Sequence, residues 1–455
     1  MIFKQSLRTE SMILAAVFLL VFSAFTANSQ EKITLQQAVD LTLQNNLQIK
    51  QSKLNEALSG ENLKESKLFF YPTLNASTNL NFNYGRNPDP LTYEFVNQQI
   101  TTASGGLNSS VPIFQGFRLW NQVSQYKYQL EADKSATRKV QNDLSLTVVT
   151  TYLQVLNNED LLTAAKQQLE LANLQLDREQ KQFDVGSKTL ADLSQAKAQA
   201  ATAQLNVTNA QNQLDISYLN LAQLMERDPG NRFQVVKPII DQLGEINNTY
   251  SATDVYTKAA NNYPDITLAK FRTLAAQKAI DVAKGSLYPR LTFGANLGSQ
   301  YSSREYAVNG ITTRDKFTDQ IDANFNQTLG FTLSIPIFNN LSSRIAVRRA
   351  RISYQNAQVS EQLARNNFNK IIYQAVTDLR AAESSYNSAN SAYQSSKDAF
   401  NAIQQRYGVG LVNSLDFNQA QTDLNQKEFN LIQARYNLIF RNKIIDFYLG
   451  HPLTF

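Results

Sequence analysis

Residues 74–84 read LNASTNLNFNY, and residues 291–301 read LTFGANLGSQY. In both stretches every second residue is mostly apolar or aromatic, and the residues between them are amides, hydroxyls or glycine. Successive side chains of a β-strand point to opposite faces, so the alternation predicts two strands that each have one apolar and one polar face. A strand that is apolar outside and polar inside is typical of the wall of a water-filled membrane barrel.

Each of these strands is followed by a second candidate strand. The alternation returns over about residues 105–113 and over residues 328–337, where leucine and phenylalanine alternate with threonine, glycine and serine. Each strand has about 10 residues, the length that crosses a bilayer when a strand is tilted. The intervening residues 85–104 and 302–326 are polar and long, as expected for the outer-face loops of a membrane barrel.

The chain is internally duplicated. Three short motifs recur in the same order: YPTL at 71–74 and YPRL at 288–291, VPIF at 111–114 and IPIF at 335–338, VG at 185–186 and VG at 409–410. The duplication predicts a first structural repeat over residues 30–226 and a second over residues 254–455. Residues 227–253, which contain prolines and glycines that break the helical pattern, form an inter-repeat linker or equatorial segment.

Each repeat is predicted to contain a helix, a strand pair and a long helical hairpin. Thr34 with Gln37 three residues later has the pattern of a capping box that opens the first helix. Pro72 and Pro289 end the helices that precede the strands, since proline cannot continue a helix. The strand pairs are 73–84 with 105–113, and 290–301 with 328–337.

The remainder of each repeat predicts two very long helices. No proline occurs between Pro112 and Pro229 or between Pro336 and Pro452, and glycines mark hairpin turns near 184–188 and 408–412. A helix of about 70 residues would be about 100 Å long. Apolar residues recur every seventh position, which favours a left-handed supercoil: Leu162, Leu169, Leu176, Phe183; Tyr386, Tyr393, Phe400, Tyr407; Leu193, Ala200, Val207, Leu214, Leu221; Phe417, Leu424, Leu431, Leu438, Ile445. The heptads alone are also compatible with a plain antiparallel coiled coil.

The N-terminus has the pattern of a secretory signal peptide over residues 1–29. Lys4 and Arg8 precede an apolar run, and Ala27 and Ser29 offer a cleavage site before Gln30. The run is shorter than the roughly 20 residues that a membrane-spanning helix needs. The mature chain is therefore expected to be exported, with no transmembrane helix.

Composition argues against several classes of function. The chain has 455 residues, a net charge of +5, no cysteine and a single histidine, His451. Without these ligands and nucleophiles, most zinc sites and nucleophile–base pairs are excluded, and no phosphate-binding or dinucleotide motif is present. We therefore expect no enzyme activity and no cofactor. The sequence has no cluster in which basic and aromatic residues alternate, so we do not expect nucleic acid as a partner.

Four strands cannot close a barrel, and an open sheet edge in lipid leaves backbone groups unsatisfied. The chain is therefore expected to combine its strands with those of identical copies. Three copies would supply twelve strands around a water-filled bore. Two copies would also close, with eight strands around a bore filled by side chains.

The duplicated plan, the Tyr-Pro-x-Leu strand entry, the Val/Ile-Pro-Ile-Phe strand exit, and the Val-Gly turn followed six residues later by Asp resemble the TolC-type outer-membrane efflux family. The resemblance implies a membrane α+β fold: a trimeric 12-stranded transmembrane β-barrel in the outer membrane, four strands per chain, continued by a long periplasmic α-helical coiled-coil barrel. It also implies a passive homotrimeric exit duct of a tripartite efflux or type I secretion system. Such a duct exports drugs, small molecules or proteins that an inner-membrane pump delivers through a periplasmic adaptor, also called a membrane fusion protein.

The resemblance also implies a periplasmic gate beside the helical turns. Asp192 and Asp416 match the family's acidic positions six residues after the turn glycine, and Tyr407 matches a latch tyrosine. Gln419 stands where the family has a second aspartate, and Lys188 occupies the first-repeat position at which the second repeat of the family has arginine. By symmetry, three copies of Asp416 would concentrate negative charge around one axis. The alternative is that both aspartates only complement a helix dipole.

The turns themselves are candidates for docking the adaptor: Val185, Gly186, Ser187, Val409, Gly410 and Leu411. Glycine allows the chain to reverse tightly and another backbone to approach closely. The glycines are equally explained by the turn alone.

For the whole chain, the alternative to a channel is a secreted coiled-coil structural or adhesive protein without a pore. The amphipathic strands favour the channel.

Overall fold

The computed structural model describes residues 31–88, 93–97, 99–230, 233–237, 250–260, 263–303, 306–308 and 311–451. The predicted signal peptide lies outside these residues, as does most of the predicted linker. No helix among the described residues is long and apolar enough to cross a membrane.

The described chain alternates strands with helices and carries the same plan twice. The elements are, in order, β1 Glu31–Ile33, α1 Leu35–Asn45, α2 Leu47–Leu68, β2 Thr73–Asn83, β3 Arg86–Pro88, β4 Phe95–Asn97, β5 Ile100–Gln115, α3 Arg118–Asp184, α4 Leu190–Leu224, β6 Phe233–Val235, α5 Ala252–Ala260, α6 Pro264–Gly285, β7 Arg290–Ser302, β8 Tyr306–Val308, β9 Ile311–Thr313, α7 Phe317–Ala323, β10 Asn326–Ser334, α8 Ser342–Gly408 and α9 Ser414–Leu449.

The chain divides into two compact units. The first unit comprises the described residues of Met1–Leu47, Asp143–Ser251 and Ala375–Phe455. The second unit comprises those of Gln48–Asn142 and Ala252–Gln374. The second unit therefore holds the strands that the sequence predicts, and the first unit holds both helical turns.

The main sheet of the second unit has four antiparallel strands in the order β10-β7-β5-β2. Its register aligns most of the apolar residues of the four strands on one face. Val111 lies opposite Phe293, which lies opposite Phe331. The other face carries a row of polar residues at one level: Asn75, Asn108, Asn296 and Thr328. Directly opposite residues of neighbouring strands share a face, so the alternation predicted from sequence produces one apolar and one polar surface.

The second strand of each pair differs most from the sequence predictions, while the first strands agree to within one residue. The second strand of the first repeat begins at Ile100 instead of residue 105 and extends to Gln115, because its weakly alternating first residues continue the ladder to β2 and β7. The second strand of the second repeat ends at Ser334 instead of residue 337. Its pairing with β7 ends there, and Pro336 has no N–H to extend the ladder.

The two segments predicted as plain loops contain short elements. One holds the β3–β4 hairpin, and the other holds the β8–β9 hairpin and helix α7. Helix α7 is attached to the end of β7 through Gln320, which is 6% exposed. Its side-chain oxygen accepts from the Ser302 backbone N–H, and its amide donates to the Ser302 carbonyl, both at 2.9 Å. These paired bonds make the rim of the sheet more structured than its polar composition suggested.

The helix before the first strand pair is divided into α1 and α2, which the sequence prediction treated as one helix. The predicted capping box is present: the Thr34 side chain accepts from Gln37 N, and the Gln37 side chain accepts from Thr34 N. At the division, Asn46 has ψ 130° and its side-chain amide donates to the Leu224 carbonyl at 3.1 Å. The two longest helices, α3 and α8, have 67 residues each, close to the length expected from the proline-free stretches.

The core of the first unit gathers around the parallel pair β1–β6, which joins the first described residues to the inter-repeat segment. Tyr152 is fully buried beneath this pair. Its hydroxyl lies 2.9 Å from the Ile33 and Val236 carbonyl oxygens and accepts from Val236 N at 2.9 Å. Burial raises the pKa of Tyr152 to about 12, so the hydroxyl stays protonated and able to donate.

Candidate functional site at the helical turns

Both helical turns begin with the same backbone device. Gly186 and Gly410 have φ of +74° and +77°, a conformation that L-residues other than glycine rarely adopt. In the first turn Gly186 N donates to Phe183 O and Ser187 N donates to Gln182 O, both at 2.8 Å. In the second turn Gly410 N donates to Tyr407 O and Leu411 N to Arg406 O. Each turn is therefore a Schellman cap, which explains why glycine stands at these two positions.

The helix after each turn begins with a side-chain cap. In α4, Thr189 and Asp192 form a reciprocal capping box: Thr189 Oγ1 accepts from Asp192 N, and Asp192 Oδ2 accepts from Thr189 N, both at 3.2 Å. In α9, Asn413 Oδ1 accepts from Asp416 N at 2.8 Å. The spacing of six residues between glycine and aspartate therefore places the acid in the first turn of the next helix, where it complements the helix dipole.

Asp192 also joins the two hairpins within the first unit. The Ser414 hydroxyl, at the start of α9, donates to Asp192 Oδ1 at 2.5 Å, and the Thr189 hydroxyl donates to Oδ2 at 2.7 Å. These bonds, that from Ser414 first, lower the pKa of Asp192 to about 2. Both carboxylate oxygens are thus occupied by donors of the same chain.

Asp416 occupies the equivalent position after the second turn and has a different environment. Its side chain is exposed and lines an open groove between α8 and α9, together with Arg406, Val412 and Gln419. The first unit therefore presents the Asp416 carboxylate and the Gln419 amide to solvent, while Asp192 is held in hydrogen bonds.

Tyr407 lies in a buried polar cluster that joins α8 to α3. Its hydroxyl donates to Glu179 Oε1 and accepts from the Gln175 amide at 2.8 Å. Glu179 is 1% exposed, and its second oxygen lies 3.8 Å from Lys188 Nζ. Burial, followed by the hydrogen bond to Glu179, raises the pKa of Tyr407. The hydroxyl therefore remains a donor, and Glu179 is its acceptor.

Two cations and one aromatic ring complete this cluster. The charged ends of Arg178 and Lys188 each lie 5.3 Å from the centroid of the Tyr407 ring. Phe417 stacks on the same ring with centroids 4.6 Å apart. The contacts hold the tyrosine ring between the hairpins, with favourable cation–π geometry.

The structure brings together three of the residues selected from sequence. Tyr407 and Lys188 share the buried cluster, and Asp192 is tied to the same second hairpin through Ser414. Sequence reasoning missed Glu179, Gln175 and Ser414. A signal for Glu179 was present: Ala165, Ala172 and Glu179 form a heptad line of buried positions, and a charged residue in such a line needs a partner.

The tips of both turns are exposed, including their apolar side chains. Val185, Val409 and Leu411 are exposed, as are Gly186, Ser187 and Gly410. A Cβ added at Gly186 or Gly410 would meet no atom within 4 Å. The turns therefore have apolar surface and open space beside them. In the described part of the chain, no group of three or more His, Cys, Asp or Glu side chains is arranged to hold a metal ion.

A four-stranded sheet with one apolar face, joined to paired 67-residue helices, defines a class: the fold is that of the outer-membrane channels. The sequence profile of the family described as outer membrane efflux protein matches residues 38–226 and 255–451, and the chain belongs to this family. The resemblance to the TolC-type efflux family is thereby confirmed.

Individual relatives are distant in sequence and similar in length. The chain is 23% identical to the outer membrane efflux protein BepC of Brucella suis biovar 1 (strain 1330) over 417 residues, covering 90% of this chain and 84% of BepC. It is 23% identical to the outer membrane protein TolC of Escherichia coli (strain K12) over 407 residues, covering 89% and 79% of the two chains. The fold matches the Campylobacter jejuni CmeC outer membrane channel with a TM-score of 0.77 at 19% identity, over 92% of this chain and 87% of CmeC.

The chain is accordingly an outer-membrane efflux channel with its helical part in the periplasm. The family and these relatives are named as efflux proteins and channels, not as enzymes. Family membership decides against the alternative of a secreted coiled-coil protein without a pore.

Proposed function

We propose that the chain works as a homotrimer, a passive exit duct in which three copies close a 12-stranded barrel. The observation that carries the proposal is the main sheet. Its edge strands in the described chain are β10 and β2, and most of its apolar residues lie on one face. Unpaired edges in lipid cost several kcal/mol for each unsatisfied group, so β10 of one copy pairs with β2 of the next.

Engineered cysteines test this pairing, because the chain has no native cysteine. Thr78→Cys on β2 is combined in turn with Leu329→Cys and with Phe331→Cys on β10. Residues 78, 329 and 331 lie on the apolar face. A disulfide requires Cβ atoms about 3.5–4.5 Å apart, so oxidation links only strands that pair. We expect covalent products up to three chains and no larger. Products limited to two chains would support the eight-stranded dimer and contradict the trimer.

We further propose that the trimer accepts cargo from an inner-membrane pump through a periplasmic adaptor that docks at the turns. The cargo class is drugs, small molecules or proteins. The exposed apolar side chains Val185, Val409 and Leu411 support this role, as do the open spaces beside Gly186 and Gly410.

Two substitutions at the same glycine separate docking from folding. Gly410→Asn keeps a residue that tolerates the left-handed conformation and adds a side chain to the tip. Gly410→Val adds a β-branched side chain that strains the turn. If the tip is a docking surface, Gly410→Asn lowers adaptor binding while trimer yield is unchanged. Normal adaptor binding by a folded Gly410→Asn trimer would count against docking at this tip.

We also propose a periplasmic gate made from Asp416, Asp192, Tyr407, Gln419 and Lys188. In the trimer, three exposed Asp416 carboxylates form one charged ring. Because Gln419 is uncharged, no second ring forms beside it. Asp192, Lys188 and Tyr407 hold the two hairpins of one subunit together through Ser414 and Glu179. In this view, opening the entrance requires these hydrogen bonds to separate.

The proposed chain organisation follows from the duplication: a signal peptide over 1–29, repeats over 30–226 and 254–455, and a linker over 227–253. Mass spectrometry of the N-terminus of the mature protein tests the first boundary. We expect cleavage before Gln30.

A further inference from the structure

The start of helix α8 carries a concentration of positive charge that the export function does not use. Arg344, Arg348, Arg349 and Arg351 lie within eight residues, and all four are exposed. We call them the arginine cluster. No Asp or Glu occurs in the sequence between Asp322 and Glu361. None of the four guanidinium groups has a hydrogen-bond or ion-pair partner in the described part of the chain.

The cluster lies directly after the last membrane strand. Strand β10 ends at Ser334 and α8 begins at Ser342. At 1.5 Å per residue, the arginines lie about 3 to 14 Å along the helix from its first residue. They occupy the first three turns of the helix that leaves the sheet, so they are the charges of α8 nearest to the lipid headgroups.

The arrangement on the helix mixes charge with exposed apolar surface. Arg344, Arg348 and Arg351 share one arc of about 60°, and Ile345, Arg349 and Ile352 share the next. Ile345 and Ile352 are 42% and 64% exposed. The opposite side of this helix end is packed through Ser343 and Val347, which are buried. Arginine carries its guanidinium on a long aliphatic stem, so these side chains can reach headgroup phosphates from the helix surface.

The fold itself does not require the cluster. In the first repeat, 224 positions earlier, the equivalent residues are Trp120, Ser124, Gln125 and Lys127. The charges are also unfavourable for an isolated helix, because like charges three and four residues apart destabilise it. A cluster that the duplicate lacks, and that has no ion-pair partner in the described part of the chain, favours a counter-charge from outside the chain.

We propose that the arginine cluster is a binding surface for anionic phospholipid headgroups in the periplasmic leaflet of the outer membrane. Guanidinium groups bind phosphate through paired N–H donors, and clusters of four or more basic residues beside a membrane segment attract anionic lipid. The proposal extends the outer-membrane placement of the channel and is independent of its cargo, its adaptor and its gate.

Lipid selectivity of the purified channel tests the proposal. The full-length protein is reconstituted in phosphatidylcholine bilayers with trace spin-labelled phosphatidylglycerol or spin-labelled phosphatidylcholine. The motionally restricted fraction of each label is then measured. We expect the native channel to prefer phosphatidylglycerol by about twofold at low salt, with the preference falling at high salt.

Two variants of the cluster identify its chemistry. Changing all four arginines to Gln should bring the preference to about one. Changing all four to Lys keeps the charge and should retain most of it. A matched control changes Lys50, Lys53, Lys166 and Lys197 to Gln. These lysines are exposed and lie elsewhere on the helices. The control removes the same net charge and should leave the preference intact.

The opposite results overturn the proposal. If the Arg→Gln variant keeps the native preference, the cluster does not bind lipid. Equal loss in the lysine control would show that only net charge matters. Single-channel reversal potentials are recorded in parallel in phosphatidylcholine alone. An Arg→Gln variant that changes ion selectivity there, with lipid preference unaltered, would assign the arginines to the conduction path. Conductance of normal size verifies that each variant has folded and assembled.

Discussion

Asp192 and Asp416 hold the same position in the two repeats, six residues after a left-handed glycine, and differ in what surrounds their carboxylates. Asp192 accepts hydrogen bonds from the Thr189 backbone and hydroxyl and from the Ser414 hydroxyl. Asp416 has its backbone N–H capped by Asn413, and its side chain is exposed. Both repeats thus have a capped helix start, while one acid links the two hairpins and the other is exposed to solvent.

The same divergence explains the buried cluster. Glu179 of the first repeat corresponds to Ile403 of the second, and Phe183 corresponds to Tyr407. Glu179 and Tyr407 pair across the hairpins, so each repeat supplies the partner that the other lacks. Two copies of either present repeat, one with Glu and Phe or one with Ile and Tyr at these positions, could not form this bond. The asymmetry between repeats is therefore what ties one hairpin to the other.

The largest expected difference between the two aspartates concerns the stability of the Asp192–Ser414 contact between the hairpins. Ser414→Ala removes the donor to Asp192, and Asp192→Asn removes the charge that three bonds share. Each should lower the free energy of local opening at the start of α4 by about 2 kcal/mol, the size of a hydrogen bond to a charged group. Asp416→Asn, the matched control, should change it by less than about 0.5 kcal/mol. Hydrogen exchange of the α4 and α9 amides measures all three. Equal changes in opening free energy for Asp192→Asn and Asp416→Asn would contradict the structural difference between the two aspartates.

The second difference concerns ions. Asp416→Ala should weaken the block of single-channel current by multivalent cations by about tenfold, because the proposed ring of three exposed carboxylates would be lost. Asp192→Ala should have a much smaller effect on block, since its carboxylate is already occupied by donors. Blocking constants from planar bilayers, measured from the periplasmic side, decide the matter. An unchanged constant for Asp416→Ala would refute the charged ring.

Local signals in the sequence were sufficient for much of the fold. Alternation predicted the two faces of β2 and β7, and glycine predicted the positions of both turns. The Thr34–Gln37 spacing predicted a capping box that the structure contains. Each of these signals depends on a few neighbouring residues. Strand register and the early end of β10 depend on partners far along the chain, which periodicity does not specify.

The candidate site was less accessible to sequence reasoning. The heptads identified an apolar line on α3 that is buried at Leu162 and half-buried at Leu169, Leu176 and Phe183. They missed the buried line that contains Glu179, and they gave no information on which helix faces either line. Glu179 accepts a hydrogen bond from Tyr407, which is more than two hundred residues away in sequence. Asp192 accepts one from Ser414 at a similar separation. Such bonds depend on the packing of one hairpin against the other. The turn glycines and aspartates were found because their chemistry is local.

A smaller effect is expected from acid. The hydrogen bonds hold the pKa of Asp192 at about 2, below its ordinary value of 3.8. Because the folded-state pKa is lowered, the stabilisation is complete above pH 3.8 and is lost as the pH falls through about 2. The melting temperatures of the native channel and of Asp192→Asn should therefore converge by about 2 °C over this range. Ser414→Ala removes the main cause of the lowered pKa and should move this window to higher pH. A difference that stays constant down to pH 2 would contradict the assignment.

The smallest effect is expected when a carboxylate is added instead of removed. Gln419→Asp places a second carboxylate three residues after Asp416 on the exposed side of α9, which in a trimer makes a second ring. It should strengthen cation block by about threefold. Gln195→Asp is the control, because Gln195 is the first-repeat counterpart and adds the same net charge beside the occupied Asp192. A ring at the second hairpin predicts a strong response for Gln419→Asp and a weak one for Gln195→Asp. Similar strengthening by both variants would mean that cations sense the total charge of the entrance, and that the two aspartates differ in stability alone.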